Sequence, residues 1–287
     1  MHRRITALID AQAGWATPLG ERVQGWLAPI LAERRPLKDA LHGTWLGHPV
    51  HPAVTDVPVG AMTVAAVLDL AGQDAAADLA VATGIAGMAA SAATGAADAV
   101  DTDGRPRVLA TVHATLMVGS LTAYLVSFAL RSGPRGGRPL ARLLGLIGYA
   151  ALTAGAYVGG DLTYRLGNQV DRHAFRRFPT KWKALDVGEV PEGELVRAML
   201  GTEPLVLVRL EGAIHALHAT CAHAGGPLDK GALIDGCVEC PWHQSRFRLT
   251  DGHVVQGPAV YDQPRYEVRE TPEGGLEARR APSGDRP

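Results

Sequence analysis

The hydrophobic positions divide the chain into two parts of different character. From about residue 53 to residue 160 the sequence is dominated by Ala, Gly, Leu and Val, and charged residues collect in short segments between apolar stretches. Four of these stretches approach the ~20 apolar residues that a helix needs to cross a bilayer. The pattern predicts four transmembrane helices, at Ala53–Gly72, Asp78–Ala97, Val108–Leu130 and Leu143–Gly160.

Small residues are frequent inside these stretches, and they suit helices that pack closely within a membrane bundle. Gly84, Gly87, Ala90 and Gly95 follow one another in the second stretch. A soluble helical bundle is the alternative, because alanine barely favours lipid over water. Span length and the placement of breakers between the spans favour the membrane bundle.

Beyond Trp182 the pattern changes to short alternating strands separated by turn residues. Two apolar runs, Leu205–Leu210 and Ala213–Leu217, are joined across Glu211-Gly212, which indicates a β-hairpin. We therefore expect an all-β domain to follow the membrane bundle.

The net charge, the N-terminal residues and the cysteine content restrict the classes of function that we expect. The net charge of −1 and the pI near 6.8 give no reason to expect a nucleic-acid partner. The twin arginine at Arg3-Arg4 is not followed by an apolar run, so a cleaved secretory signal is not expected. All three cysteines fall within residues 221–240 and do not form a disulfide framework; they have the spacing of metal ligands.

The candidate chemistry lies in two short segments. Cys221-Ala222-His223 is followed, after sixteen residues, by Cys240-Pro241-Trp242-His243. Each segment offers one thiolate and one imidazole from a single loop. This set suits a diiron cluster in which one iron takes two thiolates and the other two imidazoles. The same four residues also form a Cys2His2 zinc set.

The surrounding residues decide between these two metals, because they resemble those of the Rieske ferredoxin family. The matching stretches are Cys221–Leu228, Cys240–Phe247, Asp251-Gly252 and Gly257–Ala259. The resemblance implies a [2Fe–2S] cluster bound by Cys221, His223, Cys240 and His243, in a small β sandwich. It also implies that Ser245 donates a hydrogen bond to a bridging sulfide, and that the loop at 257–259 shields the cluster.

Two departures from the family pattern bear on the reduction potential. High-potential members join their ligand loops by a disulfide, and Gly225 and Trp242 occupy the corresponding positions here. They also have a tyrosine where Phe247 stands. Hydrogen bonds to sulfur raise the potential, so we expect a lower-potential, ferredoxin-like centre. Cys237 forms Cys-x-x-Cys with Cys240, but Cys240 is already a ligand, so we expect Cys237 to be a spare thiol.

The membrane part carries a resemblance of its own. Residues Gly47–Gly60 and Gly159–Arg165 are similar to the beginning and the end of a widespread bacterial four-helix membrane domain of unknown function. This resemblance implies no activity. It supports the four-helix interpretation.

Ionisable residues near the ends of the predicted spans suggest a second site. With the N-terminus in the cytoplasm, five of them would lie near one face of the membrane, and such groups are often functional. Two histidines at similar depth could bind haem b, or could join the carboxylates in holding a metal ion or a quinone headgroup. The alternative is that they cap helices. The five residues are His51, Asp56, Asp98, His113 and Asp161.

Positive charge predicts the orientation. Arginine and lysine are concentrated before the first span, in the second loop and after the fourth span. The third loop lies on the opposite side and is also basic, which disagrees with this orientation; its arginines are Arg131, Arg135, Arg138 and Arg142. We expect both termini and the β domain in the cytoplasm. The N-terminal segment is expected either to lie on the bilayer surface as an amphipathic helix or to pack as a short helix.

These observations predict five segments and one function. The segments are an N-terminal cytoplasmic part (1–47), a four-helix transmembrane domain (48–165), a basic linker near lipid headgroups or solvent (166–182), a Rieske domain (183–280) and a tail (281–287). The expected function is single-electron transfer to or from a redox protein, a reductase or oxygenase component, rather than catalysis. The alternatives are a redox module linked to haem or quinone and a redox sensor.

Overall fold

The computed structural model describes residues 2–133 and 137–282. Residues 283–287 of the predicted tail, and Arg135 of the third loop, lie outside this range. The chain forms two units. The first consists of Met1–Leu41 and Pro49–Asn168, and the second of His42–His48 and Gln169–Pro287. The second unit thus takes in a short segment that precedes the first predicted span, and most of the predicted linker.

The first unit is entirely helical in its described residues. Its four longest helices, α4 to α7, are long and apolar enough to cross a membrane, which confirms the predicted four-helix architecture. Each is somewhat longer than the apolar stretch that predicted it. The helices are α1 (His2–Asp10), α2 (Ala13–Glu33), α3 (Arg35–His42), α4 (Val50–Leu70), α5 (Asp74–Ala99), α6 (Gly104–Arg131) and α7 (Arg138–Tyr164).

The N-terminal helices pack on the bundle. The side-chain amide of Gln24 in α2 donates hydrogen bonds to the carbonyl oxygens of Ala99 and Thr102, at 2.7 and 2.9 Å. Lys38 in α3 forms a 2.8 Å ion pair with Asp101, and both side chains are largely buried. The segment therefore packs as helices and not as a frayed tail, and its placement on the bilayer surface stays a prediction.

The membrane bundle consists of two helical hairpins that repeat the same design. The first hairpin is α4 with α5, and the second is α6 with α7. Every buried position of α4 has a buried counterpart in α6, 62 residues later in the sequence. The pairs are Pro58 and Ser120, Met62 and Tyr124, Ala65 and Ser127, and Asp69 and Arg131. Helices α5 and α7 match in the same way with a separation of 64, as in Ala77 and Ala141, Gly84 and Gly148, and Met88 and Leu152.

Glycines allow the large buried side chains of each hairpin to fit. A Cβ atom at Gly84 would lie 2.5 Å from Cε of Met62, and a Cβ atom at Gly148 would lie 2.9 Å from Cδ2 of Tyr124. The two hairpins therefore use the same fit, a bulky residue of the first helix against a glycine of the second. Such small residues let apolar helices approach closely without a hydrophobic driving force between them.

A buried charge pair closes one end of the bundle. The Arg131 guanidinium binds the Asp69 carboxylate through two nitrogen atoms, and the side chains are only 1% and 8% exposed. Arg131 also contacts Asp78 at 3.0 Å, and Arg138 contacts the other oxygen of Asp78 at 2.9 Å. Charges removed from water in this way are tolerated only when they are paired and hydrogen-bonded.

The second unit is built from two antiparallel sheets, as expected for the β domain. One sheet has the strand order β1-β10-β9-β4-β3-β2, and the other β5-β6-β7-β8. The strands are β1 (Lys183–Ala184), β2 (Val196–Leu200), β3 (Glu203–Leu210), β4 (Ala213–His218), β5 (Ala232–Ile234), β6 (Cys237–Glu239), β7 (Arg246–Arg248), β8 (Val254–Gln256), β9 (Arg265–Glu270) and β10 (Leu276–Arg280).

The predicted hairpin is confirmed as β3 and β4. Leu210 pairs with Ala213, which leaves Glu211 and Gly212 as a two-residue turn. Both turn residues have positive φ, 52° and 79°, which is the conformation required where the turn twist must match the strand twist. The hairpin leads directly into the first of the two predicted ligand segments.

The Asp69–Arg131 pair generates a prediction about the stability of the bundle. Asp69→Asn removes one buried charge and leaves Arg131 with Asp78 alone, so we expect a loss of about 3 kcal/mol in the free energy of unfolding. Thermal unfolding of the purified protein in detergent measures this loss. Asp74→Asn is the matched control, because Asp74 pairs with Arg138 and Arg142 but is half exposed. Equal destabilisation by the two changes would contradict the prediction.

Candidate metal centre

The two ligand segments share one backbone design. In each, the cysteine N–H donates to the carbonyl oxygen five residues later, from Cys221 to Gly226 and from Cys240 to Ser245, both at 2.8 Å. In each, the N–H of the residue four positions after the cysteine donates to the cysteine carbonyl oxygen at 3.0 Å. That fourth residue has positive φ in both loops, 86° at Gly225 and 63° at Gln244. The two loops thus close on themselves and hold their side chains in fixed directions.

The four predicted ligand side chains come together between these loops. The thiols of Cys221 and Cys240 are within hydrogen-bonding contact and are only 1% and 2% exposed. The imidazole rings of His223 and His243 are perpendicular, with centroids 5.0 Å apart. The Nδ1 atoms of both rings are buried and make no hydrogen bond to any described residue. The structure therefore forms a pair of sulfur atoms and a pair of imidazoles side by side.

The two thiols are shifted in opposite directions. The hydrogen bond between them raises the pKa of Cys221 and lowers the pKa of Cys240 to about 7. Burial adds to the rise at Cys221 and opposes the fall at Cys240, and backbone N–H groups near each sulfur act against burial. The contacts therefore favour the thiolate, which is the ligand form of cysteine, at Cys240.

A glycine keeps the space beside the thiols open. A Cβ atom at Gly226 would lie 2.7 Å from Sγ of Cys240 and 3.1 Å from the Trp242 ring. Any side chain at this position would therefore displace the second ligand loop. This steric requirement explains why a glycine stands at position 226.

The donor set fits a two-iron cluster better than a single zinc ion. Four-ligand zinc sites bring all ligands to one point, but no group of three or more His, Cys, Asp or Glu side chains in the described residues has that arrangement. A cluster with two thiolates on one iron and two imidazoles on the other needs only pairs of ligands. Such a cluster, when bound, accepts and returns one electron; Cys221, Cys240, His223 and His243 would hold it.

Ser245 and Phe247 are both buried near the site, and their expected effects on the cluster stay predictions. Ser245 is fully buried, and its Oγ atom accepts a 3.0 Å hydrogen bond from the backbone N–H of Ala259. Its own hydroxyl proton is not used in that bond, so it can be given to an acceptor such as a sulfide. Phe247 is fully buried in the same hydrophobic core as Cys221 and Cys240.

Cys237 lies in β6 and is 8% exposed. Burial raises the pKa of its thiol, with Arg246 and Arg248 opposing that rise. A protonated, buried thiol is a poor nucleophile and a poor ligand. The environment of Cys237 agrees with the expectation of a spare thiol, which stays a prediction.

Two buried residues, Gln263 and His173, support the first ligand loop. The sequence pattern did not predict this role for either of them. The Gln263 amide nitrogen donates to the carbonyl oxygens of His218 and Thr220, both at 2.6 Å, and its oxygen accepts from the N–H of Ala222 at 3.0 Å. His173, from the predicted linker, places Nε2 2.8 Å from the same Thr220 carbonyl oxygen. A carbonyl oxygen only accepts, so Nε2 of His173 carries a proton and donates.

His173 and His218 form a buried stack behind this loop. Their ring centroids are 4.6 Å apart, and His218 also contacts Glu203 at 3.0 Å. Burial lowers the pKa of His173 to about 3 and lowers the pKa of His218, with Glu203 opposing the second shift. In the sequence His173 is visible only as a histidine among arginines. Spacing alone does not connect it to the first ligand loop, whose Thr220 lies 47 residues later.

The structure brings together two of the five residues suggested for the second site. The rings of His51 and His113 lie with centroids 6.3 Å apart. Asp56 is exposed on the surface of the bundle, and Asp161 forms a 3.0 Å ion pair with Arg165, one turn along the same helix. Asp98 is buried near the end of α5. The site itself stays a prediction.

Comparisons with known proteins assign both parts of the chain to families. Residues 180–267 match the family described as the Rieske [2Fe–2S] domain. Residues 47–172 match a family described as predicted membrane protein DUF2231. The two matches correspond to the two predicted domains and leave the N-terminal segment unmatched.

The matches to curated relatives cover about a third of this chain. The ferredoxin component of the naphthalene 1,2-dioxygenase system of Pseudomonas aeruginosa is 31% identical over 90 residues, which are 31% of this chain and 86% of the relative. Apoptosis-inducing factor 3 of Mus musculus is 34% identical over 83 residues, and the match spans 29% of this chain and 14% of that protein.

Among solved structures, the ferredoxin of carbazole 1,9a-dioxygenase from Nocardioides aromaticivorans IC177 is 20% identical, with a TM-score of 0.31. That match covers 37% of this chain and all of the ferredoxin. The sequence matches, together with the paired cysteines and histidines of the two loops, lead to one assignment. The chain belongs to the Rieske [2Fe–2S] family, and its residues 47–172 match the predicted membrane protein family DUF2231.

Proposed function

We propose that this protein is a membrane-anchored Rieske ferredoxin that carries single electrons between a soluble reductase and an acceptor protein. The observation that carries the proposal is the placement of the ligands. The two cysteines and His223 are buried, whereas His243 is partly exposed and its neighbour Trp242 is 57% exposed. The His243 side of the site is therefore the side from which a partner can exchange electrons.

The relatives support this class of function. The naphthalene and anthranilate 1,2-dioxygenase relatives are ferredoxin components of multi-protein systems. This chain covers most of the length of both relatives, 86% and 83%. An electron carrier needs no more than the cluster and a docking surface. We therefore favour transfer to an oxygenase-type acceptor over catalysis by this chain itself.

The residues of the chain control what the bound cluster does. The closed ligand loops fix the cysteines and histidines, so little rearrangement accompanies a change of charge. The hydrophobic core excludes water from the cysteine side, and exclusion of water strengthens local electrostatic interactions. The outer imidazoles can gain or lose a proton with the change of charge.

The membrane part gives the carrier a location. Four spans return the chain to the side of the membrane on which it began, so the segments before α4 and after α7 face the same compartment. The excess of arginine and lysine around these segments favours the cytoplasmic side. We expect the basic linker, residues 166–182, to lie near anionic lipid headgroups, with solvent as the alternative. We expect a multi-pass cell-membrane protein with a cytoplasmic cluster.

Trp242 provides the test of electron exchange. An exposed aromatic residue at a docking surface is worth about 2 kcal/mol to a protein complex, which is a factor of roughly 30 in affinity. Trp242→Ala should therefore lower the second-order rate at which a ferredoxin reductase reduces the cluster, measured by stopped-flow absorbance. The control is Trp182→Ala, because the Trp182 ring lies against Arg269 and Arg279 rather than beside a cluster ligand. If no reductase reduces the cluster rapidly, a redox sensor becomes the better interpretation.

The orientation has a separate test. Dithionite is a charged reductant that crosses membranes slowly, so it reaches only one face of a sealed vesicle. We expect immediate bleaching of the cluster in inverted vesicles and delayed bleaching in right-side-out vesicles. The reverse order would place the cluster outside the cytoplasm. Detergent added at the end of each run supplies the value for full reduction.

The reduction potential tests the roles of Phe247 and Ser245. Phe247→Tyr adds a hydroxyl in the buried core beside the cysteines, and that group needs an acceptor because an unpaired buried hydroxyl costs ~1–3 kcal/mol. A bond from it to sulfur stabilises the reduced cluster, so the midpoint should rise, whereas Ser245→Ala should lower it.

Redox titration followed by EPR measures these shifts. We expect the unmodified midpoint in the lower half of the Rieske range of about −150 to +300 mV. Phe247→Leu is the control for altered packing without a new donor. A midpoint in the upper half, or no rise with Phe247→Tyr, would show that these two residues do not set the potential.

A further inference from the structure

The membrane bundle places two equivalent histidines against each other. His51 lies in α4 and His113 lies 62 residues later in α6, which is the separation that relates every buried pair of these helices. At the other end of the same helices the equivalent residues Asp69 and Arg131 are also in contact. Residues that meet their own counterparts lie beside the axis that relates two repeats. The histidines therefore mark one end of this axis, about 27 Å from the charge pair by helical rise.

Each histidine is held at Nδ1 by a backbone carbonyl of the second helix of its hairpin. Nδ1 of His51 lies 3.0 Å from the carbonyl oxygen of Ser91, and Nδ1 of His113 lies 2.8 Å from the carbonyl oxygen of Gly155. Nδ1 of His51 also lies 3.2 Å from Oγ1 of Thr94, whose hydroxyl donates to the same Ser91 carbonyl oxygen and so leaves that Oγ1 atom as an acceptor. A glycine follows four residues after each of these carbonyl groups, and the imidazole ring occupies the space that a side chain at that glycine would need. A Cβ atom at Gly95 would lie 2.8 Å from Cε1 of His51, and one at Gly159 would lie 3.2 Å from Cε1 of His113.

These hydrogen bonds define the chemistry that each ring can offer. A backbone carbonyl oxygen has no proton, so Nδ1 must donate, and the neutral imidazole then has its lone pair on Nε2. Metal-binding histidines have this arrangement, with the remote nitrogen donating to a carbonyl and fixing the ring. A quinone carbonyl would need hydrogen-bond donors, which two rings in this tautomer do not supply. The geometry favours a metal over a quinone.

We propose that His51 and His113 bind one transition-metal ion through their Nε2 atoms, at the axis of the duplicated bundle. Imidazole nitrogens bind such ions at ~2.0 Å, and a centroid separation of 6.3 Å accommodates one ion between two rings. Zinc, copper and iron all accept imidazole. The described residues contain no group of three or more His, Cys, Asp or Glu side chains placed to hold a metal, so the other coordination positions are filled by a ligand from outside the chain.

Two sources of the ion share this chemistry. A haem supplies four nitrogens and needs only axial ligands from the protein, and a bare ion would complete its shell with small molecules. The two imidazoles would bind the ion through Nε2 in either case. The two sources are told apart by spectroscopy, because haem has intense visible bands and is extracted by acidic organic solvent.

The test is the metal content of the full chain, purified in detergent through a tag without histidine. Acid-labile sulfide counts the clusters, and elemental analysis counts every transition metal. We expect one ion per chain beyond the two irons of the cluster, with haem bands if the ion is haem iron. His51→Gln and His113→Gln keep a donor for the carbonyl and remove the imidazole. Each should lose the extra ion and leave the cluster spectrum unchanged.

The control is His48→Ala, three residues before His51, which should retain the extra ion. The unmodified protein decides the question even if the glutamine variants fold poorly. Two irons, two sulfides and no further metal or haem in that protein would overturn the proposal. Retention of the extra ion in both glutamine variants, purified as folded protein with an intact cluster, would overturn it as well.

Discussion

Closure of the two ligand loops is the constraint on which the cluster unit depends. Four side chains from loops seventeen residues apart must be held in pairs, and each loop achieves this with two backbone hydrogen bonds across a cysteine. The price is a residue in the left-handed conformation in each loop, Gly225 in one and Gln244 in the other. Glycine adopts this conformation freely and glutamine does not, so the second loop stores strain that the surrounding contacts must offset. The amide of Gln256 donates to the Gln244 carbonyl oxygen at 2.6 Å and is one such contact.

The first loop is supported from behind by residues outside the ligand motif. Gln263 satisfies three backbone groups around Cys221, and His173 donates to one of the same carbonyl oxygens. Burial keeps His173 neutral at physiological pH, so it can act as a fixed donor without introducing a charge next to the cluster. The residues after Asn168 are thus part of the cluster unit. They connect it to the chain leaving the bundle, and they also shape the site.

The sequence predicted the parts of the structure that depend on local pattern. The four spans follow from apolar length and the β3–β4 hairpin from Glu211-Gly212. The spacing of Cys221, His223, Cys240 and His243 indicated the four side chains that the structure brings into two pairs. Contacts between distant segments could not be predicted in this way. The role of His173 depends on packing across fifty residues. The duplication of the bundle is hidden in the sequence because several equivalent buried positions differ in residue type, as at Met62 and Tyr124 or at Asp69 and Arg131.

The two ends of the duplicated bundle differ in the charge of the equivalent residues that meet there. Equivalent residues that meet at an axis begin as identical residues after a duplication, and two identical buried charges would repel. At Asp69 and Arg131 the residues have opposite charges, and that contact is stable by itself. At His51 and His113 they are the same, and both rings use Nδ1 as a donor to the backbone. Each neutral ring then keeps a lone pair on Nε2 and has no proton there to share, so an ion that accepts both lone pairs would stabilise the pair at this end of the axis.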